Sequence, residues 1–547
     1  MTVAVRRAAE LSEPRTGGVP VDRSVVIVGS GAAGLALACE LAAAGVPCTV
    51  LERSAEPPPP APAVLLHSRT LEDLDLRGHA GALLEQAQTV ARMRVGIGAP
   101  ALDFGGLDSR FPGLHVLPRR QVEDLLERRA LALGAELRRG VRVQGLTQDT
   151  DGVRLLLRTE GAESGAAGEV LTAGYAVGGD DGPSCLRELA GIPFVSRSAQ
   201  FAPVLADVRL RQPPPDDVLV LPGRGGVLVT APAGDGWYRI ALVGGDHPWS
   251  EPLPTEAELA RALVELLGFD PGLTGVRALA RPRGPQRLAA HYRSGRVLLV
   301  GPAAHRLAPL AGQELNLGLQ DAVNLGWKLA AVLSGWSPPE LLDSYQDERR
   351  PLAVKALRRA ERAARHLGGT SVAAALLRRA VLAGLLGTPP LRQAAATGLA
   401  GLGTRYPRGS GRASRLPLHA GQRLPELVVR MRQGPPKLAP DLLDDGRFLL
   451  IDFGHQGIAA TAAERGWGDR VRTVSAIGPL EGYVSISTLL VRPDGYLAWA
   501  DDSYEPPARI SRAQAALTRW CGPATSGPAS LGPPAARRPA MRPQPSD

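Results

Sequence analysis

A short apolar run, Val25–Val28, leads directly into Gly29-Ser30-Gly31-Ala32-Ala33-Gly34, so a GxGxxG pattern sits between a strand and the helix-forming stretch Ala32–Ala44. Each glycine of such a pattern has its own mechanical role. Gly29 permits the tight turn, Gly31 lets the backbone approach a pyrophosphate, and Gly34 lets the helix pack close to the sheet. The free N–H groups at the helix start then favour an anion. A second strand, Thr49–Leu51, ends at Glu52, about 20 residues on, where an acid accepts from a ribose 2′-hydroxyl. An acid rather than an arginine there argues against a 2′-phosphate, and Arg53 is placed to contact the adenosine side. Residues 24–53 therefore read as a dinucleotide-binding βαβ unit, with Gly29, Gly31, Ala33, Gly34, Glu52 and Arg53 as its candidate cofactor contacts.

The rest of the chain is built to match. Its 547 residues allow two to four domains at roughly 100–200 residues each. The balance of 63 basic and 54 acidic residues gives +9, but the arginines are scattered among Asp and Glu, as in 123–129, and lysine occurs only at 328, 355 and 437. That pattern is a solvated surface, not a nucleic-acid footprint. Cys39, Cys48, Cys185 and Cys521 form no CxxC, so neither a zinc site nor a dithiol is expected. No signal peptide and no long uncharged apolar run is present, which makes a soluble, cytoplasmic chain the expectation.

Beyond the motif, Val297–Val300 reads as another buried strand. Strand-like runs broken by Pro and Gly over 200–248 predict a mostly antiparallel sheet. A helical segment follows at 351–405, with helices also expected over 68–91, 119–133 and 314–334, and an α/β domain over 406–521. Residues 1–22 and 522–547 read as flexible or disordered tails. Trp237, Tyr238 and Phe201 fall in the substrate sheet. There they suit either the lining for a flat polycyclic ligand or ordinary core packing. His67, His291 and His305 have no ligand spacing and read as structural or surface residues.

Several segments resemble the class A flavoprotein monooxygenases, in particular the aromatic polyketide hydroxylases. Residues 66–72 (LHSRTLE) resemble the family's LHxRTLE segment. Residues 313–330 (QELNLGLQDAVNLGWKLA) resemble its GQGLNxGxQDAxNLxWKLA helix, 342–351 its LxxYxxERxP segment, and 491–499 (VRPDGYLAW) the closing strands of a thioredoxin-like C-terminal domain. The resemblance implies a Rossmann-like FAD-binding domain, discontinuous over 23–190 and 285–350, an antiparallel-sheet substrate domain over 191–284 and a thioredoxin-like C-terminal domain over 406–521. It implies FAD as cofactor, NADPH or NADH as reductant, and hydroxylation of a small aromatic or polyketide substrate, with no nucleic-acid or membrane partner. It also adds Asp180, Gly301, Gly312, Gln313, Leu315 and Asn316 to the cofactor contacts. No residue is assigned a catalytic role.

The departures from the family pattern cluster at the cofactor. Pro302 stands where the family's GDAAH motif has an aspartate, Glu314 replaces a glycine beside the flavin, and Asp181 and Pro183 replace a glycine and an arginine of the GCDGxRS motif. Pro62 replaces an arginine near the pyrophosphate, and Arg119 a glutamine. Each lost charged hydrogen bond is worth about 1.5–3 kcal/mol, so losing two would weaken FAD by roughly a hundredfold or more. Three functions stay open on these residues: an FAD-dependent oxygenase, a non-redox cyclase or pericyclase on the same scaffold with FAD structural or absent, and a catalytically silent partner of an oxygenase.

Overall fold

The computed structural model describes residues 23–525, apart from 58–60, 97–99, 162–167, 181–183, 197–202, 216, 223–225, 245–252, 282–285, 308–311, 368–383, 385, 408–415, 455 and 479–481. Both sequence-predicted tails lie largely or wholly outside these residues. Gly522–Thr525 do not: Trp467 Nε1 donates to the Gly522 carbonyl at 2.8 Å and the Thr525 amide to Gly466 at 2.9 Å. The start of the expected tail is therefore an ordered clasp.

Val25–Val28 is buried along its whole length and forms the centre of a six-stranded sheet. It pairs in parallel with Cys48–Glu52 on one side and Tyr175–Gly178 on the other. Glu136–Arg139 and Val297–Leu299 extend the parallel core, and Arg293–Ser294 adds an antiparallel edge. A strand apolar on both faces needs helices on both faces. The nucleotide helix, Ala32–Ala43, fits against the long helix Gln313–Leu333 because two glycines of the latter face it. A Cβ on Gly326 would lie 2.4 Å from Glu40 Cβ, and one on Gly318 3.3 Å from Ala33 Cβ.

The second layer is a seven-stranded sheet, ordered 273–280, 204–210, 238–244, 226–232, 218–222, 92–95 and 102–103. Its last two strands come from within 23–190, and Val218–Pro222 pairs with Arg92–Val95 in parallel. This sheet thus borrows two strands from the segment read as cofactor domain, a long-range pairing with no local signal. Successive residues split between its faces. Val204, Ala206, Ile240 and Leu242 pack under the helix Glu256–Leu267, while Leu205, Val229, Ala241 and Val243 face the other core. The expected helix over 68–91 resolves into Ser68–Asp75, Ala80–Leu84 and a strand, Gln88–Val90. The helical segment after 350 contains Asp343–Leu367 and Pro389–Leu399.

The C-terminal four-stranded sheet runs Val471–Ser475, Phe448–Asp452, Thr488–Val491, Leu497–Asp501. The first pair is parallel and the others antiparallel, which is the thioredoxin-like arrangement. At the start of its helix Ile458–Trp467 no dithiol stands. Asp452 accepts there from the amides of Ala459 and Ala460 at 2.8 and 3.2 Å and closes the helix end. All four cysteines are free.

This domain is joined to the cofactor domain through a buried ionic cluster. Arg492 Nη1 donates to Glu348 Oε1 at 2.6 Å and Nη2 to Oε2 at 2.9 Å, and its other edge grips Asp494. Lys328 and Asn324, one turn apart on the long helix, also reach Glu348, at 2.9 and 2.7 Å, and Trp327 Nε1 reaches Asp494 at 3.1 Å. Burial opposes the Glu348 charge, but Arg492 and Lys328 hold its carboxyl far below the usual carboxylate range.

Candidate cofactor and substrate site

Two cavities meet above the first strand. One, about 400 Å³, is lined by Gly29, Ser30, Glu52, Arg53 and Asp180. The other, about 260 Å³, runs past Ala33, Gly312, Glu314 and Leu315 to the inner face of the seven-stranded sheet. Gly31 and Arg119 line both, so the two adjoin at these residues and together make up the passage between the βαβ turn and the seven-stranded sheet.

The turn itself is forced by packing. Gly29 has φ +108°, and a Cβ there would lie 2.5 Å from Asp180 Cα. A Cβ on Gly34 would lie 2.2 Å from the Gly29 carbonyl. Gly31 is different: a Cβ would meet only Gly179 O at 3.7 Å and the Arg119 guanidinium at 3.8 Å, both ordinary contacts. Gly29 and Gly34 are therefore steric necessities of the fold, while Gly31 keeps the passage floor open. Gly31 is also the N-cap of the nucleotide helix and brings no side-chain cap, so that helix end is open to an anion.

Glu52 ties the turn to the second strand. Its carboxylate accepts from Ser30 N at 3.0 Å, Ser30 Oγ at 2.9 Å and Ser54 N at 3.0 Å. Burial pushes this carboxyl up, but the hydrogen bonds from Ser30 and Ser54, with Arg53 close by, leave it below its ordinary value. Asp180 Oδ2 accepts from Cys185 N at 3.1 Å. Asp181 and Pro183 lie outside the described residues. Glu52→Ala is expected to weaken FAD binding by about 1.5–3 kcal/mol, roughly ten- to a hundredfold, in a fluorescence titration of the apoprotein. Unchanged affinity would remove Glu52 from the site.

At the far end the predicted contacts divide. Gly312, with φ +69°, caps the long helix without a side-chain bond, and Leu315 lines the cavity. Gln313 opens the same helix but is not among the lining residues of either cavity. Asn316 is buried away from the passage. It accepts from His67 N at 2.9 Å and donates to the carbonyls of Leu65 and Gly312 at 2.7 and 2.8 Å, bracing the turn that Gly312 makes. Gly301 also acts by packing, since its Cβ would come 2.7 Å from that of Ala33. Pro302 lines the cavity and gives it no N–H.

His305 is fully buried and bonds Asp321 Oδ2 through Nε2 at 2.7 Å, while Arg349 holds Asp321 Oδ1 at 2.7 Å. Burial opposes the Asp321 charge, but Arg349 and His305 keep its carboxyl below the ordinary range. This triad braces the segment carrying Pro302. Among the described residues no group of three or more His, Cys, Asp or Glu is arranged to hold a metal ion, and no helix is long and apolar enough to cross a membrane.

Of the two readings open for the aromatic residues, packing holds for Tyr238. Tyr238 faces the outer helix, and Trp237 is stacked by Arg209 and Arg277 at 4.7 and 4.8 Å; Phe201 lies outside the described residues. Strand parity explains it: Arg239 and Ala241 face the cavity, and Tyr238 the opposite side. Arg239, Arg281 and Arg306 also line it, and sequence reasoning missed all three. The available signal was a lone arginine at the parity of Ala241 and Val243 in an otherwise apolar strand.

The residues present fit a flavin dinucleotide: an open helix end, an acid at the ribose position and a passage leading to an apolar sheet. Residues 22–360 match the FAD binding domain family, and 418–524 the C-terminal domain of aromatic-ring hydroxylases. The chain belongs to the FAD-dependent aromatic-ring hydroxylases, a monooxygenase family. It is 38% identical over 520 residues to the 12-dehydrotetracycline 5-monooxygenase/anhydrotetracycline 6-monooxygenase of Streptomyces rimosus subsp. rimosus, covering 91% of this chain and 99% of that one. The solved anhydrotetracycline hydroxylase of Streptomyces rimosus superposes with a TM-score of 0.80 at 36% identity, over 92% and 99% of the two chains. A dialkyldecalin synthase of Streptomyces rugosporus is 33% identical over 92% of this chain and 99% of its own.

Proposed function

We propose that this protein is an FAD-dependent monooxygenase that hydroxylates a flat, polyketide-like intermediate, with NADPH or NADH as reductant. The observation carrying this reading is that the cavity at the Glu52 end of the βαβ unit adjoins, at Gly31 and Arg119, the cavity against the inner face of the seven-stranded sheet. The resemblance of the whole chain to tetracycline monooxygenases supports it.

The roles follow from position. Glu52 and Arg53 take the adenosine ribose. The open end of the nucleotide helix at Gly31, together with the Arg119 guanidinium, neutralises the diphosphate. Gly312 and Leu315 bound the far end of the passage. Bound FAD supplies the redox chemistry with oxygen there. Leu205, Val229 and Ala241 exclude water from the space above it and hold a flat ring system by contact. Glu314 places a carboxylate in the first turn of the long helix, where the helix field favours it.

The dialkyldecalin synthase relative, together with Pro302, keeps one second reading in view: a non-redox ring closure in the same cavity. Incubation of the FAD-loaded protein with NADPH, anhydrotetracycline and isotopically labelled molecular oxygen separates the two. The expected result is NADPH oxidation with one labelled oxygen atom in the product. An unlabelled isomer formed anaerobically without NADPH would overturn the oxygenase reading in favour of the second.

A further inference from the structure

The cavity against the seven-stranded sheet has an uneven charge. Its ionisable lining consists of four arginines, Arg119, Arg239, Arg281 and Arg306, against one carboxylate, Glu314. Arg119 has a partner in Glu123 at 2.8 Å. Arg239 is only 9% exposed, yet among the described residues its Nη1 has no hydrogen-bond partner. Arg281 Nη2 is in the same condition. The acid beside Arg239 in the sheet, Asp207, is already engaged: it accepts from Ala63 N at 3.1 and 3.2 Å and from Arg277 Nε at 3.4 Å.

A buried guanidinium with an unmade bond is costly unless something supplies an acceptor. Burial pushes the Arg239 guanidinium down to about 10; Asp207 offsets part of this, and Arg119 adds to it by repulsion. The two unpartnered groups also have a common location. In the sheet Ala280 pairs with Leu205, and Leu205 with Ala241. Arg281 directly follows Ala280, and Arg239 lies two positions before Ala241. The arginines thus flank one apolar patch of the cavity that Arg119 also lines.

We propose that the substrate of this cavity carries an anionic oxygen group, a carboxylate or an ionised enol or phenol, which Arg239 and Arg281 bind while the ring system lies on Leu205 and Ala241. This rests on the reading of the cavity as the substrate site. Arg239 and Arg281 are then specificity-determining residues, because a neutral analogue leaves both guanidinium groups without an acceptor.

The test uses FAD-loaded protein and two probes of one shape, anthraquinone-2-carboxylate and anthraquinone-2-carboxamide, in equilibrium titrations. The carboxylate is expected to bind at least about tenfold tighter than the amide. Arg239→Met and Arg281→Met are each expected to abolish that preference while leaving the amide and the FAD affinity of the apoprotein within about twofold. Arg281 is half-buried, so its substitution keeps the proposal testable even where Arg239→Met fails to fold. Equal affinity for the two probes, including binding of neither, overturns the proposal. So does a loss of FAD affinity in both variants that matches the loss of carboxylate affinity, which would assign the arginines to the diphosphate. Failure to oxidise either NADPH or NADH with the charge preference intact would defeat the oxygenase reading and leave the anion site standing.

Discussion

Glu348→Leu is expected to destabilise the protein by about 3–5 kcal/mol, because it breaks a buried ion pair from one side. Arg492 is 2% exposed and makes two of its hydrogen bonds to this carboxylate. Removing the acid leaves that guanidinium and the fully buried Lys328 facing each other with only Asp494 to balance them. Set against a typical stability of about 5–15 kcal/mol, the loss is large enough to separate the C-terminal domain from the long helix before the rest unfolds. Trp327 touches Asp494 and packs edge-on to Phe448 at 5.4 Å, so indole fluorescence reports this step. The double variant Glu348→Leu with Arg492→Met is expected to regain much of the loss, since replacing both partners removes the unpaired charge. A loss below about 1 kcal/mol in the single variant would mean the cluster is solvated and behaves like a surface pair.

Gly34→Val is expected to abolish FAD binding, and Gly31→Ala to weaken it while leaving the fold intact. The two glycines are three residues apart in one motif, but their surroundings differ. At Gly34 the added carbon would be 2.2 Å from a backbone carbonyl oxygen and 3.3 Å from Ile27 Cγ2, and neither the strand nor the helix can move without breaking the parallel register. At Gly31 the nearest atoms are 3.7 and 3.8 Å away, so the apoprotein accepts a methyl group and only an approaching diphosphate meets it. Thermal unfolding of the apoprotein combined with FAD titration reads both effects. Gly34→Val should lose both midpoint and binding. Gly31→Ala should keep its midpoint and lose about tenfold or more in affinity. Equal FAD affinity in Gly31→Ala and the parent would place the diphosphate elsewhere.

The parts of this molecule legible in its sequence are those set by short-range pattern. Val25–Val28, the glycine turn and Glu52 announce themselves because strand, turn and helix are contiguous and each residue type has one mechanical reason to be there. The long helix at 313–333 is legible for the same reason. What escaped is whatever depends on which face of an element meets which partner. Trp237 and Tyr238 suited a ligand lining or core packing equally, because alternation alone does not say whether odd or even positions of 238–244 face the cavity; the covering helix Glu256–Leu267 settles that. Asn316 stands beside Leu315 in the helix, and only the fold shows that its amide braces Leu65 and Gly312. The family-like segments around Lys328, Glu348 and Arg492 are distinctive in sequence, yet they meet in one buried cluster between domains. Their specificity marks how the domains are joined, whereas the cavity-lining Arg239 stands in no distinctive segment.

Glu52 and Arg53 line one of the two adjoining cavities, and Pro302 and Glu314 line the other. The direct measurement is the visible absorption spectrum of the purified protein during anaerobic addition of NADPH and then NADH, with a polyketide-like ligand present. The account predicts one bound FAD per chain, bleached by one of the two nucleotides. A protein that holds FAD but keeps it oxidised under both, or holds none at saturating FAD, would contradict it.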